Sequence, residues 1–296
     1  MQQDQITGYS EKLQIEKRYV TVTTKETLLE MVEAIEEASR ISLDTETTSL
    51  NPRKGKIIGF SITTKIGTGF YLPTLKWNNY TQKLEELLIE GKSTHNIAVR
   101  VMKMLKGKKL ICHNASFDLR YIKNYYGVSL IEDLWVDTAL LVHTVQEEGA
   151  GMGVFGLKPL AVSIQEHIGL NVEEAANKEQ VELKESIKKN GGSTTKDSFE
   201  IYKADMEILS KYAAADTDLT LRICNYFLTK LKEEKLEKFF FEEEVMPLYK
   251  EVTVPMEELG VDLDIPLLEK TREEISIDLE KNRRIVINSI LSTAEA

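Results

Sequence analysis

The spacing of apolar residues in the first third of the chain predicts a helix followed by strands. Leucine, valine and isoleucine recur at helical spacing between Thr23 and Ser39, and Thr23 with Glu26 predicts a capping box at the start of this helix. The short apolar run Ile41–Leu43 predicts a strand. Two β-rich stretches joined by a short glycine-containing link then predict a hairpin, Lys56–Thr64 and Gly69–Pro73.

The alternation of helices and strands continues through the middle of the chain. A strand is predicted at Lys109–Cys112, between helices at Ile97–Leu105 and Ala115–Tyr126. Asp137 predicts the cap of a helix that runs to about Val145. Four glycines within residues 149–156 predict a loop, after which a further helix begins.

The second half of the chain is richer in charge and in helix. Residues 171–198 are charged and weakly periodic, which predicts an inserted, partly mobile arm at about 171–200. Two helices are predicted after it, at Asp205–Ala214 and from Asp216 to about Lys235, and the last sixty residues read as helices interrupted by prolines. Strands that alternate with helices after an initial hairpin predict an α/β fold with a mixed central sheet.

Composition narrows the class of protein. The 296 residues suffice for one large domain or a domain with an extension. No stretch approaches the ~20 apolar residues of a membrane-spanning helix, and the polar N-terminus lacks a signal-peptide core, so we expect a cytoplasmic protein with no membrane partner. Cys112 and Cys224 lie in no CxxC pattern, which favours reduced thiols. The net charge of −10 argues against coating of nucleic acid by bulk charge, but not against a local grip on a few nucleotides.

The first candidate site is the pair Asp44 and Glu46, at the end of a predicted strand. Side chains two apart on a strand point to the same face. Two like charges ~4 Å apart repel by about 4 kcal/mol at an effective dielectric constant near 20, and a divalent cation with oxygen ligands removes this repulsion. Taken alone, an Asp that caps a turn beside an exposed Glu explains the pair equally well.

Two further pairs have a spacing of four residues, which places both members on one face of a helix. Asn114 and Asp118 follow the second strand, and Tyr212 and Asp216 lie in a predicted helical region. Each pair also has an ordinary explanation: an Asn at a helix N-terminus with a surface Asp, or a helix with an aromatic core residue. Only the three pairs together, in this order, are specific.

Together the pairs resemble the motifs of the DEDD superfamily of 3′→5′ exonucleases. The D-x-E motif corresponds to Asp44-Thr-Glu46, and the N-x-x-x-D motif to Asn114-Ala-Ser-Phe-Asp118. The third motif corresponds in its tyrosine form to Tyr212-Ala-Ala-Ala-Asp216. Its histidine form would need a histidine where Lys211 stands, so the resemblance is to the tyrosine subclass.

Over roughly residues 20–235 the chain resembles the proofreading exonuclease domain of family A DNA polymerases more closely. Leu50 and Phe117 stand at that family's positions for a leucine that packs against the terminal base and an aromatic before the second-motif Asp. The runs 137–141 and 156–161 also follow its pattern. Beyond them, residues 237–296 resemble the start of a polymerase domain.

The resemblance implies a ribonuclease-H-like fold with a helical C-terminal extension, and it implies chemistry with two divalent ions, Mg²⁺ or Mn²⁺. The implied metal ligands are Asp44, Glu46, Asp118 and Asp216, and Tyr212 would orient or help deprotonate the attacking water. The implied products are 5′-mononucleotides from a single-stranded or frayed 3′ end of DNA. The candidate substrate contacts are Thr45, Leu50, Asn114 and Phe117. Apart from the resemblance, Arg120, Lys123 and Lys158 are candidate phosphate contacts, although exposed cations are usually only solvated surface.

The predicted organisation is an N-terminal segment at 1–19, an exonuclease domain at 20–236 and a polymerase-like helical segment at 237–296. A palm and fingers need several hundred more residues, so we expect no polymerisation by these 296 residues. A polymerase domain or subunit is instead a candidate partner of the C-terminal segment. Two alternatives stay open: an exonuclease that trims RNA 3′ ends, and a non-catalytic module that docks DNA or a polymerase.

Overall fold

The computed structural model describes residues 17–146, 155–170, 178–195 and 198–294. Contacts within the chain divide it into two compact units, Met1–Val254 and Pro255–Ala296. The predicted N-terminal segment and the predicted glycine loop lie mostly outside the described residues. The domain boundaries given by resemblance, at 20 and 236, stay a prediction.

A six-stranded mixed sheet forms the centre of the first unit. The strands are β1 Arg18–Thr21, β2 Arg40–Thr47, β3 Ile57–Thr63, β4 Thr68–Pro73, β5 Leu75–Asn78, β6 Lys83–Glu86, β7 Leu88–Ile89, β8 Lys92–Ser93, β9 Lys109–Cys112, β10 Leu134–Asp137, β11 Thr194–Thr195 and β12 Ser198–Phe199. The sheet has the order β1-β4-β3-β2-β9-β10, and the other strands pair as two-stranded ribbons. Strands β2, β3 and β4 run antiparallel, which confirms the predicted hairpin, whereas β2, β9 and β10 run parallel.

Helices account for most of the remaining described residues. They are α1 Lys25–Glu37, α2 Thr94–Met104, α3 Ala115–Tyr126, α4 Thr138–Val145, α5 Leu157–Ser163, α6 Lys178–Lys189, α7 Met206–Glu233, α8 Val245–Leu248, α9 Val254–Leu259 and α10 Ile265–Ala294. A 3₁₀ turn lies at Ile201–Lys203, and π-helical segments lie at Phe239–Glu243 and Tyr249–Thr253. No helix among the described residues has a long enough apolar stretch to span a bilayer.

Helix α7 crosses the sheet over strands β1 to β4, while α3 packs on β2, β3 and β9 and is followed outward by α2 and α1. All seven residues of β3 are buried, so both faces of the sheet are covered at this strand. The predicted mixed sheet flanked by helices, with a helical C-terminal region, is confirmed.

Three helix predictions are wrong in detail. Helix α2 begins at Thr94, three residues before the predicted start at Ile97. Helix α1 is capped by Thr24, whose hydroxyl accepts from the Thr27 amide while the Thr27 hydroxyl accepts from the Thr24 amide, so the capping box is not formed by Thr23 and Glu26. Helix α7 is continuous through Ala215, where two separate helices were predicted. Its sequence contains no glycine or proline to end a helix there.

The charged arm is more ordered than its composition indicates. Within its described residues, helix α6 buries Leu183 and Ile187 completely against Tyr71, Leu209 and Ala213. These two apolar residues lie four apart on one face of α6, so the helix has a narrow apolar stripe that α7 covers. A stripe of only two buried residues is too weak to be recognised until its partner helix is known.

Asp218, two residues after the third motif, belongs to the scaffold. Its carboxylate accepts hydrogen bonds from the Tyr19 hydroxyl at 3.0 Å, the Gly67 amide at 2.8 Å and Arg222 Nε at 3.2 Å. Arg222 Nη1 also donates to the Ile168 carbonyl oxygen at 3.0 Å. Because the two charged side chains are almost fully buried, they link α7 to the β1 edge of the sheet.

We expect Asp218→Asn to lower the free energy of unfolding by about 3–5 kcal/mol, because it leaves the Arg222 guanidinium buried without its counter-charge. Urea denaturation at neutral pH measures the change. The matched control is Glu233→Gln on the same helix, which removes an exposed pair with Lys230 and should cost less than about 1 kcal/mol. Equal losses in the two variants would contradict the assigned role of Asp218.

Candidate active site

Three parallel strands end at one edge of the sheet, and polar residues follow each of them. Asp44 lies in β2 beyond Ser42, the last β2 residue paired with β9. Asn114 lies two residues after the end of β9, and Asp137 ends β10. Because the carboxyl ends of parallel strands meet at the same edge, the topology gathers these side chains into one region.

Asp44 and Glu46 bring negative charge into a poorly solvated place. Asp44 is half-buried and Glu46 is 7% exposed. Burial raises the pKa of the Asp44 carboxyl to about 7, although the charge of Lys158 works against this shift. Burial also holds the pKa of Glu46 well above its usual range, and the charges of Asp44 and Asp118 add to the effect.

Asp118 joins this pair from the first turns of α3. Its Oδ1 accepts hydrogen bonds from the Thr45 amide at 2.8 Å and the Thr45 hydroxyl at 2.5 Å. Burial and the Asp44 charge raise the pKa of Asp118, and the bonds from Thr45 oppose that rise. Thr45 was predicted as a substrate contact; in this structure its amide and hydroxyl hold the Asp118 carboxylate.

Tyr212 and Asp216 enter the site from α7, where their spacing puts them on one face. Burial and the charges of Glu46 and Asp44 raise the pKa of the Tyr212 phenol. The site therefore includes both side chains of the third motif. Asp216 is 7% exposed, so it too is largely removed from solvent.

Lys158 of α5 is the cation within this group of acids. Its ammonium group pairs with Asp216 Oδ1 and lies 4.9 Å from the centre of the Tyr212 ring. Burial lowers its pKa to about 8, and the charges of Glu179, Asp44 and Glu46 act in the opposite direction. The sequence indicates only a candidate phosphate contact for Lys158, because no local pattern shows that it lies beside Asp216.

The remaining predicted substrate contacts differ in exposure. Leu50 is 84% exposed, and Asn114 is exposed with a left-handed backbone, φ 64°. Phe117 is half-buried and packs against Tyr121, with ring centres 5.0 Å apart. Leu50 and Asn114 are thus accessible to a ligand, whereas Phe117 is partly committed to packing.

Tyr121 also fixes the loop that carries Leu50. Its hydroxyl donates to the carbonyl oxygens of Ser49 and Asn51, which flank Leu50 on both sides. The hydroxyl also fills the space beside Gly55, where an added Cβ would collide with it. Helix α3 therefore holds the loop that carries the exposed leucine.

The four carboxylates fit a divalent metal ion by their chemistry. Carboxylate oxygens are the ligands that Mg²⁺ and other hard cations prefer. The raised pKa values of Asp44, Glu46 and Asp118 show that their negative charges are poorly compensated. Across the described ranges, however, no three His, Cys, Asp or Glu side chains lie close enough to form a complete ligand cluster. The candidate metal ligands lie in one region, but their oxygens do not converge on a single metal position.

With divalent metal removed by EDTA, we expect the free energy of unfolding to fall as the pH rises from about 5 to about 8. The folded-state pKa of Asp44, about 7, lies above the ordinary value of about 3.9. Between these values only the folded state holds the proton, so the stability this proton provides is lost as the pH rises through 7. Urea midpoints at pH 5, 6, 7 and 8 measure the slope.

Asp44→Asn is the control for this pH dependence and should make the slope less steep, while Glu46 and Asp118, whose pKa values are also raised, retain part of it. His113, whose pKa burial lowers, acts in the opposite direction near pH 6, so the informative quantity is the difference between the two proteins. Identical slopes would show that Asp44 does not titrate in this range.

A family model described as 3′-5′ exonuclease matches residues 19–232. Among curated proteins, DNA polymerase I of Borreliella burgdorferi is 30% identical over 276 residues. That alignment covers 92% of this chain and 26% of the relative, so the chain spans about a quarter of the length of the polymerase it matches.

Solved structures of nucleases share the fold. NrnC of Brucella melitensis, in a structure with bound Mg²⁺, aligns with a TM-score of 0.50 at 15% identity and covers 84% of this chain and 98% of its own. Escherichia coli RNase D, described as an exoribonuclease involved in structured RNA processing, aligns with a TM-score of 0.50 at 15% identity over 82% of this chain and 51% of its own. At this identity the likeness establishes the ribonuclease-H-like fold and does not extend to the substrate.

Proposed function

Because the chain belongs to the 3′-5′ exonuclease family, we propose that it removes 5′-mononucleotides from the 3′ ends of DNA in a metal-dependent, proofreading type of reaction. The observation that carries this proposal is the gathering of Asp44, Glu46 and Asp118 in one region at the edge of the sheet, where the charge of Asp44 raises the pKa values of both Glu46 and Asp118. Asp216 and Tyr212 join them from α7. Such a group of buried acids destabilises the fold unless a cation binds to it, which favours a metal-binding role for these residues.

The residues that would hold divalent ions are Asp44, Glu46, Asp118 and Asp216. A pair of Mg²⁺ or Mn²⁺ ions bound there would supply activation of a water molecule and stabilisation of the departing 3′ oxygen. In this structure, Lys158 supplies part of the positive charge that the acids need, because it pairs with Asp216. Thr45 keeps the Asp118 carboxylate at a defined orientation through two hydrogen bonds.

Tyr212 acts as a hydrogen-bond donor that orients the attacking water. Burial and the neighbouring carboxylates raise the pKa of its phenol above the ordinary value of about 10. A phenol with a raised pKa keeps its proton at neutral pH and is a poor general base. Orientation of the water is therefore the role that fits this side chain better than deprotonation.

Leu50 and Asn114 are the proposed contacts to the terminal nucleotides. Leu50 is apolar and exposed at the tip of a loop that Tyr121 holds in place. An apolar side chain can pack against any base, which suits an enzyme that removes nucleotides without regard to sequence. Phe117 contributes through the part of its ring that stays exposed.

One relative supports the proposed preference for DNA and the proposed polymerase partner. The matching quarter of the Borreliella burgdorferi protein belongs to a DNA polymerase, which supports DNA as the substrate. It also supports a polymerase domain or subunit as the partner of the C-terminal segment 237–296. The fold alone is compatible with RNA as well, since RNase D shares it.

We expect Asp44→Ala/Glu46→Ala to lower mononucleotide release from single-stranded DNA by at least about 1000-fold, because the variant loses two of the four proposed metal ligands. Chromatography of 5′-mononucleotides released in Mg²⁺ buffer measures the loss, and circular dichroism checks the fold. The matched control is Glu33→Ala/Glu36→Ala, which removes two exposed acids from α1 and should leave the rate unchanged. Full activity in the Asp44/Glu46 variant would refute the site.

We expect faster digestion of a DNA oligomer than of an RNA oligomer of the same sequence, and faster digestion of a mismatched DNA 3′ end than of a paired one. A paired end must melt before it can reach the acids, which slows its removal. Product release from fluorescent oligomers measures both ratios. A preference for RNA would favour the trimming alternative, and calorimetry that shows no binding of Mn²⁺ would favour the non-catalytic module.

A further inference from the structure

The N-terminus of helix α3, which carries Asp118, is not capped by the side chain of its own N-cap residue. Its N-cap residue, Asn114, has a left-handed backbone and makes no side-chain hydrogen bond to the helix. The amide groups of a first helical turn have no acceptors within the helix and need them from elsewhere. The position of Asp118, in that helix's first turns, therefore depends on residues outside α3.

Asp137, at the end of β10, supplies the acceptors for the first two of these amides. Its Oδ1 accepts from the Asn114 amide at 3.1 Å, and its Oδ2 accepts from the Ala115 amide at 2.7 Å. Oδ1 also accepts from the Ala139 amide at 2.9 Å, which caps α4. Asp137 is 1% exposed, so protein donors replace water around it.

Tyr249 supplies the next acceptor and completes the shell of Asp137. Its hydroxyl oxygen accepts from the Ser116 amide at 2.9 Å, and its proton is donated to Asp137 Oδ2 at 2.9 Å. Burial, and next the charge of Asp137, raise the pKa of Tyr249, so this proton stays in place at neutral pH. One hydroxyl thus joins the first turn of α3 to the carboxylate that holds its N-terminus.

The segment that carries Tyr249 lies beyond residue 232, where the family model ends. It is nevertheless packed into the first unit, since Phe240 and Met246 are buried. Phe241 stacks on Trp135 of β10 with ring centres 5.7 Å apart. Lys250 Nζ donates to the Glu132 carbonyl oxygen at 2.9 Å. Tyr249 is therefore held on both sides against the strand that ends in Asp137.

We propose that Tyr249 is a positioning residue for Asp118, and that the segment from Phe239 to Thr253 is part of the working exonuclease although it lies outside the matched family region. The inference rests on the proposed function, because Asp118 is taken as a metal ligand. Tyr249 contacts neither substrate nor metal; it acts through the Ser116 amide and through Asp137. Removal of a residue that orients a metal ligand without touching the metal typically lowers metal affinity or activity about 10–100-fold.

The test is Tyr249→Phe in the full chain, which keeps the ring and removes only the hydroxyl. We expect Mn²⁺ binding, measured by calorimetry, to weaken about tenfold, and kcat at saturating metal to fall about tenfold while KM for DNA changes less than about twofold. Amide hydrogen exchange of residues 115–117 should accelerate, because Ser116 loses its acceptor. A role in overall stability alone would move the melting temperature but not Mn²⁺ affinity.

The matched control is Tyr19→Phe, which also removes a hydroxyl that donates to a buried aspartate, Asp218. It should leave Mn²⁺ affinity, kcat and exchange at residues 115–117 unchanged. Wild-type values in Tyr249→Phe, or the same changes in both variants, would overturn the inference. If the wild-type protein neither binds Mn²⁺ nor releases nucleotides, the proposed function fails, and exchange at residues 115–117 alone decides the role of Tyr249.

Discussion

The crowding of acidic side chains at the carboxyl edge of the sheet is the constraint on which the rest of the structure depends. Asp44, Glu46 and Asp118 are gathered where water is scarce, and their pKa values rise as a result. Like charges in such a place are unfavourable unless a cation joins them. Lys158, which pairs with Asp216, offsets part of this negative charge. Bound divalent ions would offset more of it.

The acids in and around the site fall into two groups that differ in their hydrogen bonds. Asp137 and Asp218 accept bonds from backbone amides and from neighbouring side chains, and these bonds take the place of water. In the described part of the chain, no comparable set of donors surrounds Asp44 or Glu46. The first group is used to hold segments together, whereas the second group keeps its oxygens available for a ligand.

Asp118 is intermediate between these groups, because Thr45 donates two hydrogen bonds to one of its oxygens.

The family model ends at residue 232, yet the packing of the first unit continues to Val254. A domain defined by sequence similarity and a unit defined by packing therefore end at different residues. The difference has a consequence for the site, since Tyr249 lies in the interval and bonds to the first turn of α3.

The sequence by itself determined the elements that depend on neighbours along the chain. The bounds of β9 and α3 match their predictions, and Asp137 caps α4 as expected, because periodicity and capping are local. The three motifs could be recognised for the same reason: each is a spacing of two or four residues on one element.

Only the tertiary structure decided which distant residues meet. Lys158 and Asp216 are 58 positions apart, and Thr45 and Asp118 are 73 apart. The packing of α6 likewise depended on α7, which covers its narrow apolar stripe. Such contacts leave no local pattern, because they arise from the order in which strands join the sheet and from the helices laid across it. The sequence therefore predicted which acids form the candidate site. The tertiary structure decided that Thr45 binds Asp118 and that Lys158 lies beside Asp216.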